Sequence, residues 1–87
     1  MPETKELLEK ALETKHAAEW ARQFNIDRST IAHAKRIGRL SPTLAGSIAI
    51  ELGESPERWI AIAALEAEQE NELLSRLKRS VNSWRKL

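Results

Sequence analysis

One stretch constrains the fold of this chain more than any other: Ala17-Ala18-Glu19-Trp20-Ala21-Arg22-Gln23-Phe24-Asn25-Ile26-Asp27-Arg28-Ser29-Thr30-Ile31-Ala32-His33-Ala34-Lys35-Arg36. Trp20, Ala21 and Phe24 fall on one helical face, and the small Ala21 lets a second helix cross close to the first. Asn25 interrupts that helix. Asparagine shares with glycine a tolerance for the left-handed backbone, so Asn25 is expected as the αL residue of a tight turn. Ile26 would plug the corner beneath it. Asp27 is a good N-cap for a second helix, whose inward face carries Ile31 and Ala34. The pattern predicts two short helices joined by a turn.

At ~100° per residue, Ser29, Ala32, His33 and Arg36 share the face directed away from Ile31 and Ala34. These side chains are short or hydrogen-bonding, as a helix needs in order to approach base edges in a major groove. Arg28, in the first turn, reaches sideways to a base or a phosphate. Arg28, Ser29, His33 and Arg36 are therefore the expected base-reading residues.

The spacing of Ala21, Asn25, Ile26, Ile31 and Ala34 resembles the helix-turn-helix of the Cro and lambda-repressor-like family, the XRE-type regulators. The family's usual turn glycine is replaced by Asn25. The flanking chain extends the resemblance: Gly38 closes the second helix, and Leu40-Ser41-Pro42 opens another whose buried face is Leu44, Ile48, Ala49 and Leu52 before Gly53. Ser55-Pro56-Glu57-Arg58-Trp59-Ile60 repeats the Ser-Pro start for a fifth helix. From about Leu7 to about Ala64 the order looks like the family's whole domain, and Trp84 beyond a charged break is similar to what short filamentous-phage regulators carry. The resemblance implies an all-α, compact bundle of five short helices plus a C-terminal helix. It divides the chain into a DNA-binding domain over 1–67, with its motif at 17–36, and a C-terminal helix over 68–87 that serves dimerisation or caps the core. It also implies DNA-backbone contacts around Arg39, Ser41 and Thr43, to which Thr30 and Lys35 are added from the motif. A solvated loop is the competing reading of the turn residues.

Thr4 is expected to cap the first helix, in which Leu7, Leu8, Ala11 and Leu12 form the apolar stripe. Thr14 is expected to cap the second, leaving backbone N–H groups near Lys15 and His16 to meet a phosphate. Towards the end, Asn71 caps a new helix, or one long helix runs through residues 56–86. Leu74, Leu77, Val81 and Trp84 follow a/d spacing over two heptads, too few for an isolated coiled coil. They are the expected dimer seam. Trp20 and Trp59 are expected in the core, whereas Trp84 is a dimer anchor, a core cap or a stacking residue.

Charge fits the motif once its distribution is considered. The total is only +1, but residues 15–39 carry Lys15, Arg22, Arg28, Lys35, Arg36 and Arg39 against Glu19 and Asp27, a local +4. Residues 51–72 carry seven glutamates against Arg58, a local −6 that phosphate would repel. The acidic surface should face away from DNA.

Other classes have little support in the sequence. The 87 residues contain no cysteine, which removes disulfides and thiolate zinc sites. The two histidines, His16 and His33, find no third ligand and no nucleophile-base-orienter set, so no metal, cofactor, small-molecule ligand or enzymatic activity is expected. No apolar run approaches the ~18 residues that span a bilayer, and the start Met1-Pro2-Glu3-Thr4-Lys5-Glu6 lacks a signal core. No membrane association and a cytoplasmic location are expected. The leading expectation is a sequence-specific regulator, of phage or mobile-element type, that represses by binding double-stranded operator DNA as a homodimer. The alternative is an antitoxin-like or anti-repressor module that binds another protein.

Overall fold

Helix boundaries follow from capping chemistry in the computed structural model, which describes residues 2–68 and 71–82, the side chains of 81 and 82 excepted. The described chain is all-helical: α1 (Thr4–Thr14), α2 (Ala17–Phe24), α3 (Arg28–Ile37), α4 (Pro42–Glu51), α5 (Pro56–Glu66) and α6 (Glu72–Asn82). Asp27 accepts from Ser29 N–H at 2.9 Å and starts α3. Ser41 accepts from Leu44 N–H and Ser55 from Arg58 N–H, each at 3.3 Å, with proline at the first helical position. Asn71 accepts from Leu74 N–H at 2.9 Å. Among the described residues the chain after residue 55 therefore makes two helices, α5 and α6.

Two expected caps are corrected. Glu3, not Thr4, is the N-cap of α1, in a capping box where the Glu3 N–H donates to the Glu6 carboxylate at 3.1 Å. His16, not Thr14, caps α2 in the same way with Glu19, whose carboxylate accepts from His16 N–H at 3.4 Å. In both boxes a glutamate at the third helical position reaches back to the orphan amide, displacing the start by one residue or two. Thr14 instead stays inside α1, donating to the Lys10 carbonyl at 3.2 Å.

The core forms where the apolar faces of α1 to α5 converge. Leu7, Trp20, Ile31, Ile48 and Ile62 are fully buried there, and Trp59 joins them as expected. Each such aliphatic side chain contributes about 1.5–3 kcal/mol of burial. The indole of Trp20 donates to the Ala11 carbonyl at 2.9 Å, so the first motif helix is fastened to α1 by a buried polar contact as well as by packing. α4 is apolar on most sides, and its Gly46 lies under Ile60 of α5. A Cβ at 46 would stand 2.8 Å from Ile60 Cγ1 and Cδ1. That missing methyl is what lets the two helices pack so closely.

Thr4, wholly buried, joins three parts of the fold. Its N–H donates to Glu66 at 2.9 Å, its hydroxyl donates to the other Glu66 oxygen, and the same hydroxyl accepts from Leu40 N–H at 2.8 Å. The Glu66 carboxylate thus sits at the N-terminus of α1, where the helix dipole favours an anion. The start of α1, the turn after α3 and the end of α5 are held by one hydroxyl and one carboxylate. Among the described residues no helix is long and apolar enough to cross a membrane.

Candidate nucleic-acid interface

The turn between α2 and α3 is built from Asn25, the one non-glycine residue with positive φ among those described, at φ 54° and ψ 48°. Ile26 N–H donates to the Ala21 carbonyl at 2.9 Å and Asn25 N–H to the Arg22 carbonyl at 3.3 Å. These are the two bonds of a Schellman motif, and they satisfy carbonyls that the end of α2 would otherwise leave open. Ile26 and Phe24 pack, half-buried, against the core, and the rings of Phe24 and Trp20 are 5.4 Å apart. Gly38, at φ 75°, ends α3 in the same left-handed region.

This frame fixes the rotation of α3. Ile31 and Ala34 are buried, while Arg28, Ser29, Ala32, His33, Lys35 and Arg36 are exposed. Ser29, Thr30, Ala32, His33 and Arg36 border one shallow surface on the outer side of the helix. Arg36 Nη2 lies 2.7 Å from His33 Nδ1, so the two outermost polar side chains touch one another. Among the described residues none of Arg22, Arg28, Lys35 and Arg36 forms an ion pair, since the bridges present involve Lys5, Lys10 and Arg76. Their charge is not neutralised within the fold. Asp27, the N-cap of α3, is held below its ordinary 3.8 by the Ser29 backbone and side-chain hydrogen bonds, which outweigh desolvation, with Arg28 adding a smaller lowering.

The expected backbone-contacting residues divide into groups. His16 shares a cleft with Arg28, Ala32 and Lys35, which places the α2 N-terminus beside two cations of α3. Thr30, Ser41 and Thr43 share another, between the turn and the start of α4, although the Ser41 hydroxyl is engaged as a helix cap. Lys15 and Arg39 are placed differently. Lys15 Nζ lies 4.4 Å from the centroid of the Trp20 ring and donates to Gln23 Oε1, so its ammonium is already engaged on α2. Arg39 donates to the Glu66 carbonyl at 3.4 Å and borders a groove with Glu3, Gly38 and Lys78.

The two described side chains of the expected dimer seam differ in burial. Leu74 is buried against the chain's own helices, whereas Leu77 is 54% exposed and Leu73 70% exposed. Val81 and Trp84 lie outside what is described of the side chains. Leu74 therefore packs within the chain itself, while Leu73 and Leu77, at i, i+4, lie side by side on the exposed part of α6.

The acidic side is also partly committed. Glu54 takes hydrogen bonds from Lys10 at 2.7 Å and from the Trp59 indole at 3.0 Å, and Glu66 serves Thr4. Sequence reading missed Thr4, Glu66 and Gln23 as anchoring residues; the Thr4–Glu66 contact joins opposite ends of the described chain, and nothing in local spacing signals it. Among the described residues no cluster of His, Cys, Asp or Glu is arranged to hold a metal ion. Comparison with protein-family models, with curated proteins and with solved structures finds no match for this chain.

Proposed function

We propose that this chain is a sequence-specific DNA-binding regulator of the Cro and lambda-repressor-like type, a phage or mobile-element repressor that binds operator DNA in the cytoplasm as a homodimer. The observation that carries the reading is the outer side of α3: short and polar side chains over a buried Ile31 and Ala34, ringed by cations without internal counter-charges. α3 enters the major groove with Arg28, Ser29, His33 and Arg36 towards the bases, while α2 lies across the phosphates. His16, Lys35, Thr30 and Thr43 are the backbone contacts, and Lys15 and Arg39 are secondary because their cationic groups are engaged elsewhere. Two protomers reading half-sites about one helical turn apart supply the specificity. The exposed pair Leu73 and Leu77 on α6 is the surface for the second protomer.

A gel-shift titration with duplexes selected from a random-core library, and with the DNA upstream of the chain's own coding sequence, tests the reading. Retardation at physiological salt, weakened as salt is raised, is the expected result. Absence of any shift while light scattering reports a dimer overturns it. The same exposed leucines favour a second reading, an antitoxin-like or anti-repressor module whose apolar α6 surface binds another protein. That reading requires no DNA binding, and Arg36→Ala would leave its activity unchanged.

A further inference from the structure

The contact between Arg36 and His33 has chemical consequences beyond the general reading of α3. A guanidinium carries five N–H donors and no acceptor. With Arg36 Nη2 at 2.7 Å, a hydrogen bond between the two requires His33 Nδ1 to accept, which is the neutral ring with its proton on Nε2. The pair then turns only donors outward: the remaining guanidinium N–H groups and His33 Nε2–H.

In the major groove, guanine shows two acceptors on its outer edge, N7 and O6, whereas adenine pairs its N7 with an N6 donor. A surface made only of donors fits the first and meets an opposed donor on the second. Ala32, on the same shallow surface, keeps bulk away from the approach. We propose that His33 is a positioning residue that holds the Arg36 guanidinium for bidentate reading of a guanine, so that each half-site contains a guanine whose recognition depends on neutral His33. This rests on the DNA-binding reading above and adds to it the identity of one base and a dependence on proton concentration.

Protonation of His33 converts Nδ1 from acceptor to donor and sets an imidazolium against a guanidinium. The bond cannot survive that change. The charged and titratable groups that line the surfaces around His33 are Arg36, on its own helix, and Arg39, from the turn after α3. Among the described residues no carboxylate lines either surface to stabilise an imidazolium and keep the pair together. Acidification therefore has opposite effects on the two parts of binding: it adds positive charge towards phosphate and releases the guanine-reading arginine.

The test uses the full chain and duplexes recovered from a random-core library. Each guanine of the recovered site is replaced in turn by 7-deazaguanine, which lacks the N7 acceptor. The expected result is one position per half-site where replacement weakens wild-type binding about 5- to 50-fold, corresponding to part of a bidentate contact. Arg36→Ala abolishes that discrimination. His33→Ala reduces it, and His33→Gln, whose amide oxygen still accepts from Arg36, restores it. On acidification the discrimination falls for wild type and stays level for His33→Gln. Retained specific binding with no 7-deazaguanine effect, or discrimination that rises on acidification, overturns this inference alone. Failure to recover any preferred duplex overturns the regulator reading and this inference with it.

Discussion

Thr4→Val removes one oxygen from the centre of the fold and separates hydrogen bonding from packing. The valine is close in shape, so the change leaves the cavity filled and removes only the hydroxyl. Leu40 N–H, which donates to that hydroxyl at 2.8 Å, is buried and has no alternative partner, a loss of about 1–3 kcal/mol. Glu66 loses the hydroxyl but keeps the Thr4 N–H at 2.9 Å, and its half-exposed carboxylate recovers water, so this second loss is held to about 0.5–1 kcal/mol. The net expectation is a destabilisation of about 2–3 kcal/mol, against a total of roughly 4–13 kcal/mol for a domain of this size. Thr4→Ser keeps both hydrogen bonds and loses one methyl, about 1 kcal/mol. Urea unfolding followed by tryptophan fluorescence separates them, with a midpoint shift of about 2–3 M for valine and about 1 M for serine at a slope near 1 kcal/mol per M. Amide exchange at Leu40 should quicken in the valine variant alone. A valine variant as stable as the serine variant would refute the account of Thr4 as a polar junction.

The remaining predictions concern packing, the turn and pH. Gly46→Ala should be stabilising by about 1 kcal/mol in an Ile60→Ala background, where helix propensity acts alone, and clearly less favourable in wild type, where the new methyl meets Ile60 at 2.8 Å; equal effects in the two backgrounds, measured by thermal unfolding, would exclude the contact. Asn25→Ala should cost about 1 kcal/mol and Asn25→Gly close to nothing in the same assay, because only the alanine is strained at φ 54°. Burial pushes the Glu54 carboxyl up, but the hydrogen bonds from Lys10 and Trp59 and the charges of Lys10 and Arg58 outweigh it, leaving the pKa below 4.5. A carboxylate depressed in the folded state contributes stability above its unfolded pKa and loses it as pH falls through the folded one. Urea midpoints should therefore hold near neutrality and fall below about pH 4.5, with a shallower fall in Glu54→Gln. Replacing both Leu73 and Leu77 by glutamate should shift light scattering towards monomer while leaving helical content by circular dichroism unchanged, since both side chains are exposed on the protomer; an unchanged dimer would move the interface elsewhere.

Much of the architecture was legible because it is written in local rules. Asn25 and Gly38 are positions where backbone chirality selects the residue type, and Asp27, Ser41, Ser55 and Asn71 act within three residues of themselves. The outward set Ser29, His33 and Arg36 follows from helical periodicity once Ile31 is taken as buried. Errors arose where two local solutions compete: Thr4 and Thr14 are good caps, but glutamates at the third helical position made Glu3 and His16 the actual ones. On α6, a/d spacing names residues that share a face without saying what that face meets, so the burial of Leu74 within the chain itself was left to the tertiary structure.

The sequence by itself determined the all-helical class, the turns at Asn25 and Gly38, the caps at Asp27, Ser41 and Ser55 and the inner and outer sides of α3, because each depends on residues within about one or two turns of one another. Tertiary structure alone decided which cations remain free. Arg39 went to the end of α5 and Glu66 to the start of α1, while Arg28, Lys35 and Arg36 kept their charge unpaired among the described residues. Such pairing depends on distances between segments that the chain brings together only when the core closes, and no periodicity within a segment encodes them.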